Sequence, residues 1–195
     1  MTNDMTRGRI LPQLIGFTIP LVLGNLFQLT YNAADSMIVG RYLGGQALAA
    51  VGTAGPIMNL AILFISGMCM GAGILMSTQY GAKQQDVLER QISTTLLSGL
   101  VFSFFVTLSM MVLAKPVLTL IRVPEEILDS ACGYLRIIFT GFLFTFAYNF
   151  FSSTLRALGD SKASLYFLVI SSVFNIAGDL LFVAVFRWGV NGSAL

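Results

Sequence analysis

Long apolar stretches alternate with short charged segments along this 195-residue chain. Between Arg9 and Asp35 there are 25 consecutive uncharged residues, enough to cross the roughly 30 Å hydrocarbon core of a bilayer. Four further apolar stretches follow. The Gly44-Gly45 pair marks a turn between the first and the second apolar stretch of the chain. The pattern predicts membrane helices over residues 12–40, 54–80, 91–114, 132–155 and 163–187, with a sixth beginning near residue 191.

Polar residues recur along single faces of three of these apolar helices. In the first helix they are spaced by 7, 3, 4 and 3 residues, at Thr18, Asn25, Gln28, Asn32 and Asp35. The fourth helix has polar residues at the same kind of spacing, at Thr145, Asn149 and Ser152. The fifth helix has them at Ser172, Asn175 and Asp179. Buried amides and carboxylates need a partner in the protein or a water-filled cavity, so these faces do not contact lipid. They predict an internal hydrated cleft.

Two carboxylates, Asp35 and Asp179, lie on these polar faces, toward the same end of helices that run in the same direction. Acidic residues inside a membrane are functional by default. The pair is predicted to bind a proton or, together with Asn175, a sodium ion. Two structural interpretations stay open, namely that Asp35 ends the first span at the interface and that Asp179 pairs with Arg187.

Three shorter features concern how the helices bend and pack. Pro20 removes a hydrogen bond inside the first helix, which predicts a kink that is either a hinge or a static bend. The four-residue spacing of Gly67 and Gly71 permits close helix packing. The charged stretch at 82–93 fits either a short amphipathic helix at the membrane surface or a solvated loop.

The composition agrees with a membrane protein and excludes several other classes. Hydrophobic residues make up 56% of the chain and charged residues 10%, with a mean hydropathy of +0.82. A soluble domain has about 25% charged residues, and a disordered chain is less hydrophobic, so we expect an all-α integral membrane protein. A net charge of +2 without a basic cluster argues against nucleic-acid binding. The lack of histidine excludes His-based metal sites and Ser/His/Asp triads, and the cysteines Cys69 and Cys132 are expected to pack as small apolar residues.

The distribution of basic residues predicts an orientation in the membrane. The N-terminal tail and the loops at 81–91 and 153–164 share one side and carry six basic residues, against five on the other side. This bias favours a cytoplasmic N-terminus in a multi-pass protein of the plasma (inner) membrane.

Four segments together resemble one transporter family. They are FTIPLVLG at 17–24, YNAADSMIVGR at 31–41, LRALGDSK at 155–162 and NIAGD at 175–179. In their order and spacing the chain resembles the multidrug and toxic compound extrusion (MATE) transporters, and the resemblance covers essentially all 195 residues. It implies a twelve-helix protein with two six-helix lobes around a cleft that opens alternately to each side of the membrane.

The resemblance also implies roles for particular residues. Small organic substrates, cationic or amphipathic, would be exported against inward flow of protons or sodium, with no cofactor besides the coupling ion. The cation site of the first lobe would comprise Asp35, Asn175, Asp179 and Asn149. Pro20 matches the proline at which the first helix of some relatives is proposed to bend. A structural role is expected for the loop residues Arg156, Gly159 and Asp160.

The chain ends where a sixth helix would begin, so we expect an N-terminal fragment that lacks the C-terminal lobe and does not transport alone. One alternative is a lipid-linked oligosaccharide flippase of the same superfamily, although the first and fifth helices offer no basic residue for a pyrophosphate. A second is an intramembrane aspartyl protease, whose usual motifs are missing around both aspartates. A third is a non-transporting fragment or regulatory membrane subunit.

Overall fold

The computed structural model describes residues 9–186 and Trp188, apart from the side chains at positions 35, 39, 43, 44, 46, 47, 179 and 184. This part of the chain is almost entirely helical and contains no strand. Four helical segments are long and apolar enough to cross a membrane, and a bent pair of shorter helices makes a fifth. The predicted start of a sixth helix near residue 191 lies outside the described residues.

The helix α1 (Ile10–Gly81) contains the first two candidate spans, Ile10–Tyr42 and Leu48–Gly81. A straight helix would separate residues 40 and 48 by about 12 Å along its axis. A Cβ atom built on Gly40 would nevertheless lie 3.7 Å from Cδ2 of Leu48, so the chain bends between these two residues. The bend falls at the predicted turn, and the helical hydrogen bonding continues through it.

The helix α2 (Gln85–Leu120) is longer than the predicted helix over 91–114. Residues 85–93 are its first turns, so the charged stretch is helical there and not a loop, but it belongs to a long helix and is not a short separate one. Hydropathy detects only the apolar part of a helix, whereas backbone hydrogen bonds can extend the helix into water. Asp86 in the first turn stabilises this N-terminal extension by its favourable interaction with the helix dipole.

The single helix predicted over 132–155 consists of two helices, α3 (Glu125–Thr140) and α4 (Phe142–Ala157), which are bent by 46°. They meet at Gly141, and glycine favours a break because it loses more backbone freedom in a helix than other residues do. Together the two helices make one candidate span. Glu125 and Glu126 in the first turn of α3 are placed favourably for its dipole.

The helix α5 (Ser161–Asp179) begins after a tight connection. Gly159 has a φ of 86°, a conformation that glycine adopts without strain, and Asp160 caps the helix by accepting a hydrogen bond from the backbone N–H of Ala163 at 2.9 Å. The structural role expected for these two residues is therefore observed. After Asp179 the chain continues as a short π-helix, Leu180–Val185, so the predicted fifth helix is not regular to its end.

Aromatic residues pack where α2, α3 and α4 meet. Phe139, Phe142, Phe146 and Phe150 are all nearly inaccessible to solvent. The ring of Phe146 lies against Gly99 of α2, and a Cβ atom added at Gly99 would overlap that ring. Thr107 of α2 adds a polar link by donating a hydrogen bond to the carbonyl of Phe139 at 2.9 Å.

The glycines that permit close packing differ from the pair that the sequence suggested. Neither Gly67 nor Gly71 has an atom within 4 Å of an added Cβ position. Gly73 is buried, and a Cβ atom there would lie 2.7 Å from Oγ of Ser153 on α4. Close packing in this fold therefore depends on Gly73 and Gly99.

Candidate functional site

One cavity of about 1450 Å³ lies among the helices. Both segments of α1 line it, together with α3, α4 and α5. Ordinary small-molecule pockets have volumes of about 300–1,000 Å³. The cavity is thus large enough for a drug-sized molecule and its hydrating water.

Apart from Thr18, which is exposed and does not line the cavity, the structure places the described polar residues of all three predicted faces around this cavity. From the first segment of α1 come the amides of Asn25, Gln28 and Asn32. The opposite walls carry Thr145, Asn149, Ser152, Ser172 and Asn175. Ser66 and Ser77, which the sequence analysis did not single out, add hydroxyl groups from the second segment of α1.

Asn149 is held in place by two hydrogen bonds. Its Nδ2 donates to the carbonyl of Thr145 at 2.9 Å, and its Oδ1 accepts from Oγ of Ser66 at 3.2 Å. The second bond joins α4 to α1 across the wall of the cavity. Because both ends of the carboxamide are restrained, Asn149 presents a fixed polar group to the cavity.

Several serines of the cavity wall connect one helix to another. Ser153 donates a hydrogen bond from Oγ to the carbonyl of Cys69 at 2.8 Å, which joins α4 to α1. Ser152 and Ser164 share a hydrogen bond between their hydroxyl groups, which joins α4 to α5. Ser172 instead bonds within its own helix, to the carbonyl of Leu168 at 2.8 Å. Part of the polar wall therefore stabilises helix packing as well as facing the cavity.

Pro20 is buried in α1 and lines the cavity. Gly24 lies one turn further along, and a Cβ atom there would be 3.4 Å from Leu168 and 3.6 Å from Leu165 of α5. The segment around Pro20 therefore packs closely on α5. Any bending of α1 at Pro20 would change this contact.

The side chains of Asp35 and Asp179 lie outside the part of the chain that the structure describes, although both backbones are helical. Asp35 follows the cavity residue Asn32 by three positions, and Asp179 follows Asn175 by four. In a helix these spacings keep residues on one face. Among the described residues no group of three or more His, Cys, Asp or Glu could hold a metal ion, so the sodium site stays a prediction.

Arg156 occupies a position that the sequence analysis did not expect. It is on the last turn of α4 and lines the cavity, and it carries the only formal charge among the described lining residues. A charge close to a predicted loop is ordinarily solvated, so Arg156 was not assigned to the cleft, although it follows Ser152 by four residues on the predicted polar face. The helical position of Arg156, two turns after Tyr148 on the cavity side of α4, is the signal that identifies it in retrospect.

Comparisons with known proteins agree with this architecture. The MatE family model matches residues 20–181. The chain belongs to the MatE family. The predicted family and the all-α membrane fold are thereby confirmed, and this MatE chain is a multi-pass membrane protein. Proteins of this family are transporters and not enzymes, which removes the aspartyl protease alternative.

The chain is also similar to individual MatE proteins. The chain is 37% identical to the Probable multidrug resistance protein YpnP of Bacillus subtilis over 98% of this chain and 43% of the relative. It is 34% identical to the Probable multidrug resistance protein YoeA of the same organism over 91% of this chain and 39% of the relative. A crystal structure of MATE in complex with MaD3S superposes with a TM-score of 0.92 at 25% identity, covering 98% of this chain and 43% of that one. The chain thus spans less than half the length of the relatives it matches.

Proposed function

We propose that this MatE chain forms the first lobe of a secondary transporter that exports small organic molecules, and that the cavity binds the substrate. The main support is the large cavity, which combines the amides of α1 with the hydroxyls of α4 and α5 and with apolar and aromatic residues. Such a mixed surface suits cationic or amphipathic compounds, because apolar area provides affinity and a few polar groups provide orientation. The names of YpnP and YoeA support multidrug substrates.

A second helical lobe is the proposed partner. The chain spans 43% of YpnP, and alternating access in transporters of this type uses two halves that move against each other. The cavity would then be one half of a central cleft, completed by the second lobe. Membrane lipid would cover the many large apolar side chains exposed on the outside of α1 and α2.

The coupling ion is proposed to be a proton or sodium at Asp35, Asn175 and Asp179, with Asn149 nearby. Asn175 and Asn149 both line the cavity, and the helical spacing supports a position for the carboxylates on the same faces. Ion and substrate can drive each other only if each binds the two conformations of the transporter with different affinity. Bending of α1 at Pro20 is the proposed change, because the missing hydrogen bond makes the helix weakest there.

The transporter is proposed to lie in the plasma (inner) membrane with its N-terminus in the cytoplasm. The bias of six basic residues to five supports this orientation. With Arg156 as the only charged residue in the described lining, the flippase alternative lacks the several basic groups that a pyrophosphate needs.

The central experiment measures ion-driven efflux by the two-lobe transporter after Asp35→Asn and, separately, Asp179→Asn. Each substitution keeps the size of the side chain but removes the titratable group, so we expect ion-driven efflux to fall to background. Asp129→Asn is the matched control, since this carboxylate is 93% exposed in an ion pair with Lys115 outside the cavity. Wild-type efflux by both cavity variants would refute the proposed coupling site.

A further inference from the structure

Arg156 lies at the end of the cavity where α4 is followed by α5. Arg156, Tyr148 of α4 and Cys69 of α1 line the same cavity. Tyr148 precedes Arg156 by eight residues, about 12 Å along a helix. Helical side chains point toward the N-terminus of their own helix, which directs this long side chain toward Tyr148.

Among the cavity-lining residues that the structure describes, no carboxylate balances the positive charge of Arg156. Among the residues that the structure describes, the observed ion pair joins Lys115 to Asp129, and neither residue lines the cavity. Asp160 is nearby in sequence, but it does not line the cavity, and its Oδ1 accepts a hydrogen bond from the N–H of Ala163. Among the described lining residues, Arg156 is therefore the charged group that a bound molecule would meet.

Hydrogen-bond donors surround this end of the cavity. Ser153, Ser161 and Ser164 line it, and α5 begins at Ser161, so the positive end of its dipole is at the same end. The capping carboxylate of Asp160 and the negative end of the α4 dipole, where Arg156 lies, offset that positive end. The guanidinium is then the main positive group, and the hydroxyls are additional donors.

The proposed cation site is far from this donor group. Asp179 follows Ser161 by 18 residues, which corresponds to about 27 Å along a helix. A drug-sized molecule bound beside Arg156 would not reach Asp179. The two ends of the cavity can therefore recognise different charges.

We infer that Arg156 and the neighbouring serine hydroxyls form a subsite for an oxyanion, such as the carboxylate of an amphipathic organic acid or zwitterion. This inference deepens the proposed function, on which it rests, because it extends the substrates beyond cationic compounds. A planar guanidinium binds a carboxylate through two parallel hydrogen bonds, an arrangement that lysine cannot reproduce. Lysine at this position would therefore retain only part of the affinity.

The test compares two fluorescent probes, dansylglycine and its methyl ester, which share one body and differ by one negative charge. Binding is measured by dansyl fluorescence with the chain in lipid nanodiscs, and transport with the two-lobe transporter in proteoliposomes. We expect the wild type to bind the acid more tightly than the ester. Arg156→Gln should weaken binding of the acid by about tenfold to a hundredfold, the usual range for a lost charge-assisted hydrogen bond, and leave ester binding unchanged.

Two further variants make the result specific. Arg156→Lys should keep an intermediate preference for the acid. Lys162→Gln removes one positive charge six residues away, from an exposed side chain outside the cavity lining, and should bind both probes as the wild type does. Unchanged ester binding shows that Arg156→Gln has folded.

Each alternative outcome has a distinct meaning. Equal loss of both probes in Arg156→Gln, or no loss of either, would overturn the oxyanion subsite. If the oxyanion subsite is overturned in this way but the wild type transports both probes, the proposed export function stands. Acid binding that depends on Arg156 without transport of either probe would instead support the subsite and contradict the export function. Failure of the wild type to bind either probe would overturn both.

Discussion

Replacing Gly99 by alanine should destabilise the contact between α2 and α4. Gly99 is buried, and an added Cβ atom would overlap the ring of Phe146; even Cε1, the farthest of the three nearest ring atoms, would lie only 2.9 Å away. Phe146 is 2% exposed, and its ring centroid lies 5.9 Å from that of Phe150, so the ring has little room to move. The methyl group must therefore push the two helices apart or displace a packed aromatic cluster.

The magnitude follows from two opposing effects. Overpacking a core by one methyl group typically costs about 1–3 kcal/mol, and an overlap this severe belongs at the upper end. Alanine has a higher helix propensity than glycine, which offsets up to about 1 kcal/mol of this cost. We therefore expect Gly99→Ala to lower the free energy of unfolding by about 2 kcal/mol, and the melting temperature by about 4–8 °C for a chain of this length.

The two cysteines provide the assay. Both are free and buried, but Cys69 lines the cavity, so the assay uses a Cys69→Ala background, in which a thiol-reactive fluorophore labels Cys132 only as the chain unfolds. Gly67→Ala is the matched control, because no atom lies within 4 Å of its added Cβ position, and it should be neutral or slightly stabilising. Phe146→Leu should relieve the overlap, so the double variant should lose less than the sum of the two single losses. Gly99→Ala melting at or above the temperature of the wild type would refute the reasoning.

Two further predictions concern the cavity wall. Pro20→Ala restores a backbone donor inside α1, so it should raise the melting temperature but slow efflux if α1 bends there; faster or unchanged efflux would contradict a hinge. Ser66→Ala removes the hydrogen bond to Oδ1 of Asn149 and should lower the free energy of unfolding by about 1 kcal/mol, measured with the same thiol assay. Ser77→Ala is its control, because Oγ of Ser77 bonds only within its own helix, to the carbonyl of Ile74 at 2.8 Å. Equal melting temperatures for the two serine variants would show that the bond to Asn149 contributes nothing measurable.

Much of the cleft was predictable because helical periodicity is a local property. Residues three or four positions apart share a face, and the cost of a polar group in lipid requires that face to turn inward. Asn25, Asn149 and Asn175 were placed on polar faces on that basis, and all three line the cavity. The partner of Asn149 was not predictable, since Ser66 is 83 residues away in sequence.

The sequence by itself determined that this is a helical membrane protein, where its apolar segments lie and which of their faces are polar, because each of these follows from transfer free energies along one chain. Only the tertiary structure decided that Gly73 and Gly99, and not Gly67 and Gly71, are the sites of close approach. It also decided that Arg156 lines the cavity, whereas Lys162 stays outside its lining. The physical reason is the same in both cases: close packing and the position of a charge depend on which neighbouring helix faces a residue, and that is set by contacts between distant parts of the chain.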